Sequence, residues 1–451
     1  MLPFSDKTRR RITLALFVVL CVSPTVIVAA WGVSRHLPGH VRGEAQRLSW
    51  QLGMKVSLAA VEHLRPGVVR YQGLVLANPE TGQEVARCRV LEAAWGKAAG
   101  REKPGGRLLR ISAVQPEIEA SALDEVRRLV DRVLMGRAGP LETEVGLSTE
   151  SLLVRSEHGS QTFSDVTGKV QTLPEGTLAK VEFRLPGQSA PKPAWLYLGR
   201  YREQATPASV FGLETEGSDL PCTVLSLAAD GLRTLGTRSR FRGRIDGRQT
   251  AEGWETVVRG QFDEVELGSL VTDHFPSYQF NGNAQLRVDQ AILVDRRLQN
   301  ATGKLTAGPG NVNASLVDAA IRRLGLTGSA GLGGADRVIR FEWLKAAFSL
   351  DAEGLRVVGL GDEGSQGTIL MGNQGPILGE PRVQPLPIMA VVEALAPAAS
   401  SQASAQSQGS AGPQAEWLLR RMPLPDVVGF AALRDAAPGT QASRTRQTEP
   451  R

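Results

Sequence analysis

The N-terminal segment has the sharpest contrast between polar and apolar positions in the chain. Ile12–Val33 is a run of 22 residues without a charge, and four basic residues lie just before it, within residues 7–11. A helix of roughly 20 apolar residues crosses the ~30 Å hydrocarbon layer of a bilayer. The pattern therefore predicts a single-pass anchor in the inner membrane within residues 1–33. The basic start predicts a cytoplasmic N-terminus, with the bulk of the chain in the periplasm.

A cleaved signal peptide is the alternative, because Val28-Ala29-Ala30 offers small residues of the kind found at cleavage sites. The apolar run is longer than the roughly 7–15 residues of a signal-peptide core, and it continues to Val33. These two features favour an anchor that is not cleaved.

Short elements with clear turn signals follow. Apolar residues recur at helical spacing from Val41 to Leu52 and stop at Gly53, which predicts an amphipathic helix. Strands are predicted next, separated by Pro-Gly and Asn-Pro-Glu-Thr-Gly turns, and they cover Lys55–Leu64, Gly67–Ala77, Glu84–Trp95 and Leu108–Glu119.

Two further helices are predicted from their apolar stripes and Ser-x-x-Asp starts. Ser121–Leu134 opens with Ser121 and Asp124, and Ser315–Leu326 opens with Ser315 and Asp318. In both, the serine is the expected N-cap.

Most of the remaining chain alternates as strands do. Ten or more short strands are predicted between about Glu142 and Gly310, with good alternation in Tyr278–Val294. Further strands are predicted at Val338–Leu350, Gly354–Leu360 and Gly367–Gly372. The predicted fold class is mainly β with a few short helices, in which the anchor precedes a long curved antiparallel sheet that forms a groove.

Composition shifts divide the chain. Residues 397–415 are a low-complexity linker rich in Ala, Ser and Gln, Trp417–Leu433 can supply a short docking element, and the basic end is predicted to be a disordered tail. The predicted segments are an anchor, an N-terminal β/α unit, a β-rich groove segment ending in a helix, a further β segment, and a linker with tail, at 1–33, 34–140, 141–326, 327–396 and 397–451.

Charge and cysteine content narrow the function classes. The net charge is +6, but basic and acidic residues are interspersed, which is typical of a solvated surface and argues against a nucleic-acid partner. There are three cysteines, so no disulfide framework is implied, and a single Cys88–Cys222 bridge stays open as an alternative to free thiols.

No catalytic or metal-binding motif is present in the sequence. The five histidines are scattered, and there is no His-Glu-x-x-His, Cys-x-x-Cys or phosphate-loop pattern. Strand alternation would put Asp263 and Val265 on one face and Glu264 and Glu266 on the other, as on an ordinary solvated edge. We therefore expect no enzyme activity, no cofactor and no metal.

An exported, β-rich domain without catalytic groups can still act by binding a ligand or a partner. A sheet with one apolar face can hold acyl chains, because each buried CH₂ contributes about 0.8 kcal/mol. The same alternation also serves a filled core. The candidate groove-lining residues, each of which has an ordinary core position as its alternative, are Phe262, Val265, Tyr278, Phe280, Leu286, Phe341 and Phe348.

The N-terminal part resembles the AsmA-like envelope proteins, the group that includes TamB and YhdP. The matching features are a membrane helix, a short helix ending in Leu52-Gly53, the Pro66-Gly67 turn, Gly73-Leu74, and Asn78-Pro79-Glu80-Thr81-Gly82. Segments within Gly260–Leu326 and Val338–Leu360 are similar to later strand units of that family.

The resemblance implies a long β groove with a role in lipid transport or outer-membrane assembly. The expected partners are lipid acyl chains and the inner membrane, with other envelope proteins as a further class. The alternative is a membrane-tethered scaffold whose sheets close into β-sandwiches and bind envelope proteins.

Overall fold

The computed structural model describes residues 6–34, 38–97, 107–135, 143–156, 159–188, 190, 192–201, 208–226, 230–328, 337–396 and 413–423. The chain divides into two compact units, Met1–Val265 and Glu266–Arg451, called unit 1 and unit 2. The finer segment boundaries expected from the sequence stay predictions.

The first described residues are helical. Helix α1 (Asp6–Phe17), a π-helical turn (Val18–Val22) and α2 (Ser23–Ser34) follow one another, and the backbone stays right-handed helical at both junctions. The π turn lies just before Pro24, which has no N–H to donate, and the Thr25 hydroxyl donates to the Cys21 carbonyl at 2.6 Å.

Among the described residues, no single helix is both long enough and apolar enough to span a membrane. The uninterrupted anchor helix predicted from the sequence therefore finds no support in the helix lengths.

The next elements match the sequence pattern closely. Helix α3 (Pro38–Leu52) ends at Gly53, whose φ of +64° suits glycine, and the Gly53 N–H donates to the Ser49 carbonyl at 2.8 Å. In the Asn78 turn, the Asn78 side-chain oxygen accepts from the backbone N–H groups of Glu80 and Thr81. Strands of this region are β1 (Lys55–Ser57), β2 (Ala60–Arg65), β3 (Val68–Ala77) and β4 (Glu84–Lys97).

The expectation of an all-antiparallel sheet is wrong at one place in unit 1. Strand β5 (Arg107–Glu119) and β6 (Thr143–Ser156) pair in parallel, and α4 (Leu123–Leu134) lies between them in sequence. A parallel pair needs a long crossover, which this helix provides. The sheet of unit 1 is therefore mixed.

The remaining described elements of unit 1 are strands, one short helix and two 3-10 turns. The strands are β7 (Gly159–Leu173), β8 (Gly176–Arg184), β9 (Ala194–Tyr201), β10 (Ala208–Glu214), β11 (Leu220–Pro221), β12 (Arg240–Thr250) and β13 (Gly253–Glu266). Helix α5 covers Cys222–Leu225, and 3-10 turns cover Ala120–Ala122 and Asp230–Leu235. Consecutive pairing runs from β2 through β10 and then to β12 and β13.

Unit 2 combines antiparallel strands with helices. Its strands are β14 (Phe280–Asn281), β15 (Asn283–Val294), β16 (Arg297–Ala307), β17 (Gly310–Asn313), β18 (Leu326–Gly328), β19 (Val338–Asp351), β20 (Gly354–Gly359), β21 (Thr368–Gly372) and β22 (Gly375–Pro381). Its helices are α6 (Leu267–Val271), α7 (Ala314–Leu324), α8 (Ile388–Leu395) and α9 (Pro413–Leu419).

Both predicted serine caps are wrong. The chain enters α4 through the 3-10 turn, and the Ser121 hydroxyl accepts from the Gln83 side chain at 3.0 Å. Asn313 caps α7 instead of Ser315, because the Asn313 side chain accepts from the Leu316 N–H at 3.3 Å.

The described part of the C-terminal region contains α9, which overlaps the start of the predicted docking element Trp417–Leu433. Ala415 and Leu418 of α9 join a buried cluster with Phe275, Tyr278 and Val392. Residues 424–433 of that prediction, most of the low-complexity linker and the tail lie outside the described residues.

Candidate apolar binding face

The strand register of unit 1 brings apolar side chains into one row. Residues paired across neighbouring strands lie on the same face of a sheet, so the row can be followed from strand to strand. The apolar row takes one residue from each of ten strands, β3 to β10 with β12 and β13: Val69, Ala93, Ile111, Leu147, Gly168, Val181, Leu196, Leu213, Ile245 and Val258. At a strand spacing of ~4.8 Å, the row extends about 45 Å across the strands.

The row beside it, one residue along each strand, lies on the opposite face and is polar. The polar row consists of Arg70, Glu92, Ser112, Ser148, Thr167, Glu182, Trp195, Glu214, Arg244 and Arg259. Neighbours in this row interact, as in the Arg70–Glu92 ion pair at 3.3 Å and the Ser112–Ser148 hydroxyl contact at 3.2 Å. The sheet of unit 1 therefore has one apolar and one polar face.

The apolar face continues on the other side of the apolar row. A second set of paired apolar residues lies on the same face, two residues further along each strand. It consists of Trp95, Leu109, Val145, Val170, Ala179, Leu198 and Phe211. We call the two sets together the apolar face.

The apolar face keeps much of its surface open. Leu147 is 38% exposed and Trp95 is 49% exposed, whereas Leu213 is buried. The other members of the apolar row are half-buried, which is not the exposure of a filled core. Exposed contiguous apolar surface on a soluble domain commonly marks a binding site.

One end of this face is covered by a helix. Leu91 and Ala113, which pair with each other beside the apolar row, pack in a cluster with Leu48 and Leu52 of α3. Val56, Leu74 and Cys88 join the same cluster under α3.

Two aromatic rings lie next to each other on the apolar face, at β10 and β13. The Phe211 ring lies directly over Gly247, so that any Cβ added at Gly247 would overlap the ring. The Trp254 ring lies 5.3 Å from the Phe211 ring, measured between centroids. Glycine at this position therefore lets a large ring lie along the sheet.

Four of the seven candidate residues named from the sequence lie in the core. Phe262, Val265, Tyr278 and Phe341 are between 0% and 4% exposed. The Phe262 ring packs 4.8 Å from Phe241, measured between centroids. The Tyr278 hydroxyl donates to the Ala394 carbonyl at 2.7 Å.

A β-bulge explains why Phe262 and Val265 both point inward. Glu264 has a left-handed backbone with a φ of +53°, which breaks the alternation of β13. The expectation that Asp263 and Val265 share a solvated face is therefore wrong, since Val265 is fully buried.

The remaining three candidates are half-buried in unit 2. Leu286 pairs with Leu305 of β16, which pairs in turn with Ala346 of β19. Phe348 lies two residues beyond Ala346 and therefore shares the face of Leu286. Phe280 pairs with Val312, and its ring lies 5.8 Å from the buried Phe341. The register thus brings two of the seven onto a common apolar face, on which Val288 and Ala346 are buried.

Sequence reasoning missed the apolar face of unit 1. The signal was present as period-two alternation in segments such as Leu91–Trp95 and Leu109–Ala113. Which strands pair, and in which register, could not be obtained from that alternation.

The titratable groups near this sheet lie away from its apolar rows. Hydrogen bonding to Lys169 holds the pKa of Glu144 below its usual range. Burial raises the pKa of the Tyr197 hydroxyl, and the neighbouring Asp246 carboxylate raises it further. Within the described ranges, no cluster of three or more His, Cys, Asp or Glu residues is placed to hold a metal ion.

The open alternative of a Cys88–Cys222 disulfide is not realised. Both cysteines are buried free thiols. The Cys88 thiol donates to the Val90 carbonyl at 3.0 Å, while Cys222 lies at the start of α5.

No protein-family model, curated protein or solved structure matches this chain.

Proposed function

We propose that this protein binds lipid acyl chains on the apolar face of unit 1 and supports lipid transfer or envelope assembly, as the AsmA-like resemblance suggests. The observation that supports this most strongly is the contrast between the apolar row and the polar row across ten strands. An extended ligand without polar groups gains about 0.8 kcal/mol for each CH₂ that it buries there.

The N-terminal helices support a place at a membrane. Residues 6–34 are helical throughout, and apolar side chains described within Leu14–Ile27 are open to the surroundings, with Leu14, Leu20 and Ile27 each at least 63% exposed. The uncharged run Ile12–Val33 would measure about 33 Å at 1.5 Å per residue. We place this run in the inner membrane, with the rest of the chain in the periplasm.

A membrane-tethered scaffold for other envelope proteins is the second candidate. The fully buried Phe262, Val265 and Phe341 favour it, because they belong to a filled core and not to an open groove. Under this alternative the apolar face would bind a protein surface, and purified protein would carry no lipid beyond what surrounds its N-terminal helices.

Lipid content of the purified full-length protein tests the proposal. Leu147 and Ser148 are neighbours on β6 that lie on opposite faces, so they offer a matched pair of variants. A carboxylate on the apolar face disfavours apolar ligands because a charge is costly to desolvate.

We expect Leu147→Glu to lower the phospholipid retained per protein, measured by mass spectrometry, by at least threefold, and Ser148→Glu to leave it unchanged. Circular dichroism melts check that both variants are folded. Equal lipid content in the wild type and both variants would contradict the proposal and favour the scaffold.

A further inference from the structure

One aromatic residue interrupts the polar row. Trp195 lies on β9 between Glu182 of β8 and Glu214 of β10. Two and six residues further along the same strand, Tyr197 and Tyr201 lie on the same face. These three residues, the aromatic strip, extend roughly 20 Å along the strand on the polar face of unit 1.

The Trp195 and Tyr197 rings are tilted relative to each other, and the Lys180 ammonium lies over the Trp195 ring, 5.4 Å from its centroid. The rings of Trp195 and Tyr197 lie 5.6 Å apart between centroids, with 30° between their planes. The Tyr197 ring lies directly over Gly212 of β10, where any Cβ would overlap it. Trp195 and Tyr197 are half-buried and Tyr201 is 38% exposed, so the strip is partly open to solvent.

The polar tips of two rings are already engaged. The Trp195 indole N–H donates to Glu216 at 3.4 Å, and the Tyr197 hydroxyl donates to Asp246 at 3.2 Å. These bonds hold the rings in place before any ligand arrives, which lowers the entropic cost of binding.

The charges around the strip are balanced. Lys180 pairs with Glu182 at 2.8 Å, Lys192 with Glu216 at 3.4 Å, and Arg244 with Asp246 at 2.7 Å. A fourth carboxylate beside the strip, Glu214, faces Arg244 across the strand pair, and Arg259 follows Arg244 in the polar row. The cations and carboxylates around the strip are therefore equal in number. The site is thus suited to a neutral ligand with polar groups, not to an ion.

We infer that the aromatic strip binds a neutral, linear oligosaccharide. The faces of aromatic rings are electron-rich and attract the C–H groups of a sugar ring, whereas sugar hydroxyls can both donate to and accept from the flanking ion pairs. Glu216 and Asp246 are acceptors with lone pairs to spare for such hydroxyls.

A proline-rich peptide is the other ligand that aromatic strips commonly bind. Proline-rich segments have few N–H donors, so their carbonyls need donors from the protein. The indole N–H of Trp195 and the hydroxyl of Tyr197 already donate to carboxylates. This arrangement favours the saccharide.

Calorimetric titration of full-length protein with a hexamer of β-1,4-linked N-acetylglucosamine tests the inference. We expect binding by the wild type and at least tenfold weaker binding by the double variant Trp195→Ala/Tyr197→Ala. Tyr197→Phe keeps the ring over Gly212 and should bind within about threefold of the wild type. If the double variant does not fold, Tyr197→Leu, which keeps the bulk but not the ring, replaces it and should also bind more weakly.

Trp343→Ala in β19 of unit 2, an aromatic residue outside both proposed binding faces, is the control and should leave saccharide binding unchanged. The inference is overturned if the wild type does not bind the hexamer, if loss of the rings has no effect, or if a proline-rich peptide binds the strip instead. Retained lipid is measured on the same samples, so that a loss of saccharide binding is distinguished from a loss of lipid binding.

Discussion

Leu147 and Ser148 show how single residues define the two faces of unit 1. Leu147 pairs with Ile111 and Gly168, whereas Ser148 pairs with Ser112 and Thr167. Adjacent positions on a strand point to opposite faces, so a shift of one residue in register would exchange the two environments.

Single residues also mark where sequence reasoning failed. The Ser-x-x-Asp signal located both helices correctly to within a few residues, yet neither serine is the cap. Asn313 is an equally good cap residue directly before α7, and sequence alone does not decide between neighbouring candidates. The left-handed backbone of Glu264 could not be predicted either, because no sequence signal marks a glutamate in this conformation.

The state of the cysteines gives a prediction at the residue scale. Burial raises the pKa of the Cys88 and Cys222 thiols, so both stay protonated near neutral pH, where the thiolate is the reactive form. We expect iodoacetamide to leave both unlabelled in native protein and to label both after unfolding in urea, as followed by peptide mass spectrometry. A disulfide-linked Cys88–Cys222 peptide, or rapid native labelling, would show that these environments are wrong.

At the scale of elements, left-handed residues are aligned across neighbouring strands. Gly73 of β3 and Gln115 of β5 lie on either side of Arg89 of β4, and both have a φ between +50° and +59°. Simple alternation would separate Leu74 and Cys88 from the face that carries Leu91 and Ala113. The aligned bend lets all four join one cluster under α3.

The bend predicts an unusual response to glycine at an exposed strand position. A left-handed backbone is unfavourable for Gln115, whereas glycine adopts it freely. We expect Gln115→Gly to raise the free energy of unfolding by up to about 1 kcal/mol and Gln115→Val to lower it, as measured by urea unfolding. If Gln115→Gly destabilised the protein as it would in an ordinary strand, the bend would not be a requirement of the fold.

Most elements could be predicted, but their connections could not. The strands from Lys55 to Glu119 and from Val338 to Gly372 follow from alternation and turn residues. The parallel pairing of β5 with β6 could not be predicted, because a helix between two strands can connect either an antiparallel or a parallel pair. Strand β22 and helix α8 were missed, since their short, proline-bounded segments have no clear periodicity.

At the scale of the molecule, two units share one design principle. In unit 1 the apolar row and the polar row run across ten strands on opposite faces of the sheet. In unit 2, the face that carries Leu286 and Phe348 is apolar, whereas Arg287 and Lys304 pair on the opposite face. The apolar sheet surface of unit 1 is partly open, whereas Val288 and Ala346 on the apolar face of unit 2 are buried.

Site-specific photo-crosslinking in living cells tests most directly whether the apolar face binds lipid. A photoreactive benzoylphenylalanine is placed at Leu147 in one strain and at Ser148 in another, and adducts are identified by mass spectrometry after irradiation. We predict lipid acyl adducts at position 147 and none above background at position 148. Equal labelling at both positions, or only protein adducts at position 147, would contradict a lipid-binding apolar face.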